Sequence, residues 1–505
     1  MLERYVKKIL SSRVYDVAQE SPLQAAPLLG ERVNRGVWLK REDVQQVFSF
    51  KLRGAYNKMS AMTEAQRARG VITASAGNHA QGVALGARRL GIKATVVMGR
   101  NTPDIKVNAV RRLGARVVLH GDGFDAAAAH AKELVKAQGF TFVHPFDDPD
   151  VIAGQGTVGM EILNQHSGPL AAIYVPVGGG GLIAGIAAYV KYLRKDTEII
   201  GVEAEGSACL AAAREAGRRV KLPSEELDLF ADGVSVAQVG KHTFAVAKQY
   251  VDDVVTVSTD EICGAVKDVF DESRVIAEPS GALAIAGMKK DLASRNVPPG
   301  DVVAIVSGAN VNFDRLRHIS ERAELGEARE AILGVEIPER PGSFLAFART
   351  LGKRGITEFN YRHAGGDDAQ VYVGLKTDSI SDRVNVVAEL VKAGFEVTDM
   401  TDNEAAKLHV RHMVGGRGRD TEHELLYRFE FPERPGALLK FLTGLGGRWN
   451  ISMFHYRNHG AAWGRVLVGF QARSGARKEL LAYLDRIGYR WWEESDNPAY
   501  RMFLR

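Results

Sequence analysis

Short apolar runs alternate with helical patterns over the first two thirds of the chain. The segments between the runs have the three-to-four-residue spacing of amphipathic helices. Strands that read as continuous apolar runs between helices are typical of a parallel sheet buried on both faces. The pattern predicts one α/β domain over residues 1–320, with two lobes that share a cleft and a small lobe at about 45–150. The apolar runs lie at 71–75, 94–98, 116–120, 140–143, 173–177, 197–203, 253–257 and 301–308.

An internal repeat occupies the last third of the chain, after a charged helical connector at 321–330. Each copy has the order strand, helix, strand, strand, helix, strand, which is the pattern of small ferredoxin-like, or ACT-like, α+β domains. We therefore predict two such subdomains, at 331–411 and 425–505. The matching blocks are Pro-Glu-Arg-Pro-Gly at 338–342 and 432–436, Phe-Asn-Tyr-Arg at 359–362 against Phe-His-Tyr-Arg at 454–457, and Val-Tyr-Val-Gly-Leu at 371–375 against Val-Leu-Val-Gly-Phe at 466–470.

Composition narrows the class of protein. The chain is 45% apolar and 25% charged, which is globular composition. The net charge of +5 is not gathered into a Lys/Arg block, so we expect no nucleic-acid partner. The sequence shows no membrane span, no signal peptide and, with only two cysteines, no disulfide framework. We predict no metal site, and the cytoplasm is the expected location.

Lys51 is the first candidate for chemistry, because it lies between Phe50 and Leu52 in the segment Ser-Phe-Lys-Leu-Arg-Gly-Ala. Burying an ammonium group is expensive, and desolvation would make this lysine a usable amine nucleophile. The alternative is a surface lysine at the start of a helix. The segment by itself leaves both interpretations open.

Four successive glycines, Gly178, Gly179, Gly180 and Gly181, follow a predicted strand and precede a predicted helix that begins near Leu182. Backbone N–H groups of such a loop, together with the helix N-terminus, form an anion cradle. The spacing matches neither G-x-G-x-x-G nor a P-loop, so it suits one phosphate better than a pyrophosphate or a triphosphate. A tight strand–helix turn is the structural alternative.

Two further segments follow predicted strands. Ser75-Ala76-Gly77-Asn78-His79 could hold a carboxylate and a polar ring substituent, although by itself it is only a helix N-cap sequence. Ser307 lies at the end of the apolar run 301–308, directly after Asp-Val-Val-Ala-Ile-Val, and ligands of open α/β sheets bind at the carboxyl ends of strands. An amine, a phosphate cradle, a carboxylate cradle and a hydroxyl around one cleft match pyridoxal 5'-phosphate.

The four motifs, in this order, resemble those of the fold-type-II pyridoxal-phosphate enzymes, and more narrowly of the threonine/serine dehydratases. With the tandem repeat, nearly the whole chain resembles the biosynthetic threonine ammonia-lyase (threonine deaminase) family. That resemblance implies deamination of L-threonine to 2-oxobutanoate and ammonia, the first committed step of isoleucine biosynthesis. It also implies feedback inhibition by isoleucine and activation by valine at the repeats, and a homotetramer. The motifs read SFKLRGA, SAGNHAQG, VGGGGL and SGANVNF.

Residue roles follow from the same resemblance. Lys51 would hold the cofactor and later take the Cα proton. The segment Gly178–Leu182 would bind the phosphate, Asn78 the 3-hydroxyl and Ser307 the ring nitrogen. The substrate carboxylate would lie near Ser75–His79. We predict that the imidazoles of His79 and His144 are structural rather than catalytic.

The regulatory site is predicted at Tyr361 and Tyr456, which occupy equivalent positions on the second strand of each repeat. A tyrosine beside the Pro-Gly turn could supply an apolar wall and a hydroxyl to an amino-acid effector. The alternative is that both aromatics are core residues.

Competing functions are a nicotinamide-dependent dehydrogenase, which the glycine spacing disfavours, and an amino-acid sensor without catalysis, which leaves Lys51 unexplained. Among the lyases, a catabolic serine/threonine dehydratase or a serine racemase is the alternative, and these typically lack tandem repeats.

Overall fold

A computed structural model gives the fold and divides the chain into two units, residues 1–323 and 324–505. No helix in the described part of the chain is long and apolar enough to cross a membrane. The structure describes residues 1–100, 102–121, 124–326, 329–338, 340, 342–362, 368–403, 406–407, 410–412, 423–432, 437–445, 449–457, 463–472, 477–497 and 500.

The first unit alternates strands and helices. Its strands are β1 (Leu23–Ala25), β2 (Val37–Arg41), β3 (Val71–Ala74), β4 (Ala94–Met98), β5 (Arg116–Leu119), β6 (Thr141–Phe142), β7 (Leu170–Pro176), β8 (Glu198–Ala204), β9 (Asp253–Val257) and β10 (Asp301–Val306). The helices up to the second unit are α1 (Leu2–Leu10), α2 (Pro27–Val33), α3 (Lys51–Ser60), α4 (Glu64–Arg69), α5 (Asn78–Leu90), α6 (Asp104–Arg112), α7 (Phe124–Gln138), α8 (Pro149–Gln165), α9 (Gly181–Leu193), α10 (Cys209–Glu215), α11 (Lys241–Tyr250), α12 (Thr259–Ser273), α13 (Pro279–Ser294) and α14 (Leu316–Gly326).

These strands form two sheets, which confirms the predicted fold class. A four-stranded sheet has the order β5-β4-β3-β6 and is parallel throughout. A six-stranded sheet has the order β1-β2-β10-β7-β8-β9 and is parallel except for the antiparallel edge strand β1. All residues of β7 are buried, as expected for a strand with both faces covered.

Three of the predicted motifs follow the carboxyl ends of parallel strands. Ser75 follows β3, the glycine loop follows β7, and Ser307 follows β10. An isolated bridge between Ser49 and Gly308 brings the lysine segment beside the end of β10. Because strand ends of a parallel sheet open on one edge, this topology places all four motifs where ligands usually bind.

A fully buried ion cluster anchors helix α3 below Lys51. The Arg53 guanidinium donates two hydrogen bonds of 2.8 Å to Glu42 and further bonds to Glu161 and Thr157. The Lys40 ammonium lies 2.7 Å from Glu161. All four charged side chains are at most 1% exposed. The cluster therefore ties α3 to α8 and to the segment after β2.

The second unit contains both repeats, and each has the predicted order of elements. They form one antiparallel sheet of strand order β14-β11-β13-β12-β16-β17-β15-β18. The elements are β11 (Glu330–Pro338), α15 (Ser343–Leu351), β12 (Ile356–Arg362), β13 (Asp368–Lys376), α16 (Ile380–Lys392), β14 (Glu396–Asp399), β15 (Glu424–Pro432), α17 (Ala437–Leu445), β16 (Asn450–Arg457), β17 (Trp463–Gln471), α18 (Arg477–Ile487) and β18 (Arg490–Glu493).

The two repeats join through antiparallel pairing of β12 with β16. In this register Tyr361 lies opposite Phe454, and Phe359 lies opposite Tyr456. The four aromatic residues therefore meet on one face of the sheet, where they pack into the core of the unit. This pairing relates the two predicted regulatory tyrosines by an approximate twofold axis.

Candidate active site

Lys51 is the first residue of helix α3 and lines a cleft of about 400 Å³. Its ammonium nitrogen is 5.0 Å from the centre of the Phe50 ring. Burial lowers the pKa of Lys51 to about 8, and the charge of Glu278 opposes this shift only in part. Since desolvation favours the neutral amine, a usable fraction of Lys51 is nucleophilic close to neutral pH.

The glycine loop lies in the same cleft, between β7 and α9. Gly180 has a φ of 87°, in the left-handed region that glycine adopts without strain. A Cβ atom on Gly179 would lie 2.2 Å from the Phe146 ring, which leaves no room for a side chain. The loop therefore requires glycine at these positions, and its N–H groups are not covered by side chains of their own.

Hydrogen bonds from other elements fix the carbonyl side of this loop. The Gly179 oxygen accepts from the Thr243 hydroxyl at 2.8 Å and from the Gly240 N–H at 3.2 Å. The Gly178 oxygen accepts from the Cys209 thiol at 3.4 Å. With its carbonyls held in this way at the N-terminus of a 13-residue helix, the loop is suited to bind an anion such as a phosphate.

Asn78 begins helix α5 and is held in one orientation by two partners. Its Oδ1 accepts from Asn310 Nδ2 at 2.8 Å, and its Nδ2 donates to Glu278 Oε1 at 2.6 Å. Asn310 Nδ2 also donates to the Val47 oxygen at 2.8 Å. Because an amide nitrogen carries two hydrogens, Asn78 retains one N–H for a ligand in the cleft.

Ser307 is buried directly after β10 and also lines the cleft. Its hydroxyl donates to the backbone oxygen of Ser280 at 3.2 Å. Its own backbone oxygen accepts from the Phe50 N–H at 3.3 Å. The end of β10 is thus bonded both to α13 and to the segment that carries Lys51.

The segment Ser75–His79 contributes less to the cleft than the sequence suggests. Among the described lining residues, Asn78 is the member of this segment that appears. The His79 ring is buried with Nε2 3.0 Å from the Val143 oxygen, and burial lowers the pKa of His79 to about 3. His144 Nδ1 accepts the Asp147 N–H at 2.9 Å. Both imidazoles are therefore engaged by backbone groups.

Glu278 is the cleft residue that the sequence analysis missed. It lies 5% exposed at the N-cap of α13, with its carboxyl group in the lining beside Lys51 and Asn78. Burial is the main cause that raises the pKa of Glu278 to about 7. The sequence feature that could have pointed to Glu278 is its place between Ala277 and Pro279, at the start of a predicted helix of small apolar residues.

Other lining residues had no assigned role either. Phe146 covers the glycine loop, and Gly233 and Val234 come from the loop between α10 and α11. Asp232 of this loop pairs with Lys106 of α6. The ion pair therefore connects the loop beside the cleft to the helices around the four-stranded sheet.

The second unit has a cavity of its own, of about 420 Å³, that Tyr361 lines. Pro338, Arg340 and Gly342 of the first repeated motif also line it, whereas residues 339, 341 and 433–436 of the two motifs lie outside the described residues. Leu442, Leu445, Trp449, Asn450 and Ile451 of the second repeat complete the wall. Tyr456 instead packs, partly buried, against the core.

Known proteins resemble the chain along nearly its whole length. A family model described as pyridoxal-phosphate dependent enzyme matches residues 14–308. A model described as the C-terminal regulatory domain of threonine dehydratase matches residues 321–410 and again 415–504. The biosynthetic L-threonine dehydratase of Burkholderia multivorans is 52% identical over 99% of each chain. The chain belongs to the biosynthetic threonine dehydratase family.

Solved structures resemble the chain over a shorter range. The processed form of threonine deaminase isoform 2 from Solanum lycopersicum is 51% identical, covers 64% of this chain and 88% of its own, and has a TM-score of 0.63. Maize serine racemase is 31% identical, covers 62% of this chain and 95% of its own, with a TM-score of 0.58. These structures cover less than two thirds of the chain, whereas the two matches to the regulatory-domain model cover the second unit.

Proposed function

We propose that this protein is a threonine ammonia-lyase that deaminates L-threonine to 2-oxobutanoate and ammonia, the first committed step of isoleucine biosynthesis. One observation carries the proposal: Lys51, Asn78, Gly178–Gly181 and Ser307, which are far apart in sequence, line a single cleft. Residues 1–320 would form the catalytic domain. Residues 331–411 and 425–505 would form the regulatory subdomains.

The cleft fits pyridoxal 5'-phosphate, the cofactor of this family. Gly178–Leu182 would hold the phosphate, because the loop is a glycine-only cradle at a helix N-terminus. Asn78 would donate its remaining N–H to the 3-oxygen, and Ser307 would contact the ring nitrogen. Lys51 would bind the aldehyde carbon. The bound cofactor supplies the sink for the electrons left at Cα of the substrate.

Lys51 has two tasks in this proposal. As a neutral amine it binds the cofactor, and after the substrate amino group has replaced it, the same amine takes the Cα proton. Its low pKa of about 8 serves both tasks, because an ordinary lysine would remain protonated. Departure of the β-hydroxyl and hydrolysis then give the 2-oxo acid and ammonia.

Ser307 would determine how strongly the cofactor ring withdraws electrons from the substrate. A neutral hydroxyl has one hydrogen to donate, which would turn from the Ser280 oxygen to the ring nitrogen when the cofactor binds, but it cannot keep that nitrogen protonated, as an aspartate would. The ring is therefore a weaker electron sink, which favours prompt β-elimination over transamination.

The substrate carboxylate would lie in the segment Ser75–Asn78, at the N-terminus of the 13-residue helix α5. The backbone N–H groups of Ala76 and Asn78 would bind it, because the Ser75 N–H donates to the Val97 oxygen at 3.2 Å and the Gly77 N–H to the Ser75 hydroxyl oxygen at 3.3 Å. The predicted contact of the substrate with His79 is wrong for its imidazole, which is buried with Nε2 3.0 Å from the Val143 oxygen.

An assay of 2-oxo acid formation tests the proposed function directly. We expect turnover of L-threonine by the purified holoenzyme, and inhibition of this turnover by isoleucine. L-serine in place of threonine measures the substrate preference, and release of D-serine would favour the alternative of a serine racemase. Absence of 2-oxobutanoate with threonine, in a preparation that contains pyridoxal phosphate, would contradict the proposal.

The second unit is proposed to bind isoleucine as inhibitor and valine as activator. The cavity beside Tyr361 has apolar walls from Phe344 and Ile451 and a guanidinium from Arg340, which suit an aliphatic side chain and a carboxylate. A homotetramer and a cytoplasmic location stay predictions from the sequence.

Replacement of Tyr361 by alanine should weaken isoleucine inhibition by about ten-fold, because the ring forms a wall of this cavity. Uninhibited threonine turnover should stay within about three-fold, since a change that acts only on effector binding leaves the catalytic site intact. Tyr456→Ala is the matched comparison, and its smaller effect is expected because Tyr456 is not among the described residues that line this cavity. The measurement is the isoleucine concentration for half-inhibition.

A chain that stops after Leu325 provides the control for this prediction. It should lose isoleucine inhibition altogether if it remains active. If such a truncated enzyme were still inhibited, the regulatory role of the repeats would be wrong.

A further inference from the structure

We propose that Glu278 is a positioning residue that holds the Asn78 amide so that one N–H faces the 3-oxygen of the cofactor. The inference rests on the proposed binding of pyridoxal phosphate in this cleft. It assigns a role to a buried carboxyl group that neither the sequence motifs nor the proposed chemistry uses.

The geometry of three side chains supports this role. Asn310 Nδ2 donates to Asn78 Oδ1, so the Asn78 oxygen is occupied on one side. Asn78 Nδ2 donates one hydrogen to Glu278 Oε1, at 2.6 Å on the other side. The amide plane is thus fixed at both ends, and its remaining hydrogen is the one available to a ligand. Without an acceptor at position 278, one of these two constraints would be lost.

The Glu278 carboxyl lies close to the backbone of Gly308. A Cβ atom on Gly308 would lie 2.3 Å from Glu278 Oε1, and the Glu278 N–H donates to the Gly308 oxygen at 3.1 Å. Gly308 directly follows Ser307, so Glu278 packs against the end of β10 that also carries the proposed contact to the ring nitrogen. The carboxyl group therefore lies between two proposed cofactor contacts, Asn78 and the end of β10.

The charges around Glu278 come from several elements. The negative charge of Glu278 raises the pKa of Lys51 of α3. A hydrogen bond with the Ser280 side chain of α13 lowers the pKa of Glu278. The charge of Asp232 raises the pKa of Glu278, and the charge of Lys106 lowers it. Burial outweighs the rest and raises the pKa of Glu278 to about 7, so that the neutral acid predominates below this pH.

The protonation state affects what Asn78 can offer. A neutral carboxyl group still accepts from Asn78 through one oxygen, and it places no charge beside an anionic 3-oxygen. If Glu278 were ionised, its carboxylate and the anionic 3-oxygen of the cofactor would both accept from the Asn78 amide nitrogen. Two negative charges on one donor repel each other. Affinity for the cofactor should therefore fall as the pH rises through about 7.

Titration of the full-length apoprotein with pyridoxal phosphate, at about pH 6 and at about pH 8, tests the inference with a readout other than turnover. Glu278→Gln keeps an acceptor for Asn78 and is always neutral, whereas Glu278→Leu removes the acceptor at similar size. Asp291→Asn is the matched control, since Asp291 is a buried acid of the same helix that bonds to Tyr174 and Arg295 instead.

Three results are expected. For each protein, the dissociation constant for pyridoxal phosphate at the higher pH is divided by that at the lower pH. This ratio should be about ten-fold larger for wild type than for Glu278→Gln. At the lower pH, Glu278→Gln should bind within about three-fold of wild type, and Glu278→Leu about ten-fold more weakly. Asp291→Asn should keep the wild-type pH dependence.

The inference is overturned if Glu278→Gln has the same pH dependence as wild type, or if folded Glu278→Leu binds as tightly as wild type. Thermal unfolding of each apoprotein identifies a variant that does not fold. If Glu278→Leu fails to fold, the comparison of wild type with Glu278→Gln decides. Failure of the wild-type protein to bind pyridoxal phosphate at either pH would instead refute the proposed function itself.

Discussion

Replacing Lys51 with alanine is expected to reduce threonine turnover by at least about 10³-fold, since the variant loses the amine that binds the cofactor and the base that takes the Cα proton. The near-visible absorbance of lysine-bound cofactor should disappear with it. The measurements are 2-oxobutanoate formation and the absorbance spectrum of the purified variant. Retention of substantial activity would contradict the assignment of Lys51.

The same variant should fold at least as well as the wild-type apoprotein. Burial lowers the pKa of Lys51 to about 8 from an ordinary value of 10.5, so the native state binds this proton more weakly than the unfolded state. This destabilisation is complete below about pH 8 and vanishes above the ordinary pKa. Lys51→Ala should therefore raise the melting temperature of the apoprotein near neutral pH, and the gain should shrink in strongly alkaline buffer.

Lys58→Ala is the control for Lys51→Ala, because Lys58 lies in the same helix and pairs with Asp148 and Asp150 away from the described cleft lining. We expect its turnover to stay within about three-fold of wild type, as for a substitution distant from the reacting atoms. A comparable loss of activity in both variants would mean that disruption of the helix, rather than loss of the Lys51 amine, explains the effect.

The apolar pattern predicted the strands that are buried on both faces, because continuous apolar runs are their direct consequence. It missed β2, whose sequence Val-Trp-Leu-Lys-Arg ends in two cations. Lys40 and Arg41 are nevertheless buried, because Lys40 pairs with the distant Glu161, and Arg41 pairs with Gln24 of the adjacent strand β1 and with the nearby Asp43. A pattern of single residues cannot show that a charge will be paired in the fold.

The same limit applies to the cleft. The glycine loop and Lys51 stand out locally, because four glycines or a lysine between apolar neighbours are unusual in any context. Glu278 and Phe146 do not, since their significance comes from contacts with Asn78 and Gly179 that are distant in sequence.

The elements of the repeat were predicted more completely than those of the catalytic unit, because each element could be recognised in two aligned copies of the same pattern. Its element order and the alignment of Tyr361 with Tyr456 are confirmed by the sheet register. The repeat did not predict which residues of the second copy complete the cavity beside Tyr361. Trp449 and Asn450 line it, and because Leu-Gly-Lys-Arg at 351–354 matches Leu-Gly-Gly-Arg at 445–448, Trp449 is an extra residue of the second repeat.

The buried ion cluster below Lys51 should be sensitive to loss of a single charge. Arg53 bonds to both carboxylates of the cluster, so Arg53→Met would leave Glu42 and Glu161 with Lys40 as the remaining buried cation of this group. Although burial opposes ionisation, Arg53 and Lys40 together keep the pKa of Glu161 below its ordinary value. Removing Arg53 would take away both its Coulomb attraction and its hydrogen bonds to these carboxylates.

We expect Arg53→Met to lower the free energy of opening of helices α3 and α8 by about 3–5 kcal/mol, the usual effect of removing one partner of a buried ion pair. Amide hydrogen exchange in these helices measures it directly. Arg317→Met is the control, since Arg317 is largely exposed in its pair with Glu321 and should change stability by about 0.5 kcal/mol or less.

The pH dependence separates this explanation from a simple packing defect. Glu161 has a depressed pKa in the folded protein, so its contribution to stability is present above the ordinary glutamate pKa of about 4.3 and is lost as the pH falls below it. The difference between wild type and Arg53→Met should therefore be largest near neutral pH and should shrink in acid. A difference that is independent of pH would show that the methylene stem of Arg53, and not its charge, anchors the helix that carries Lys51.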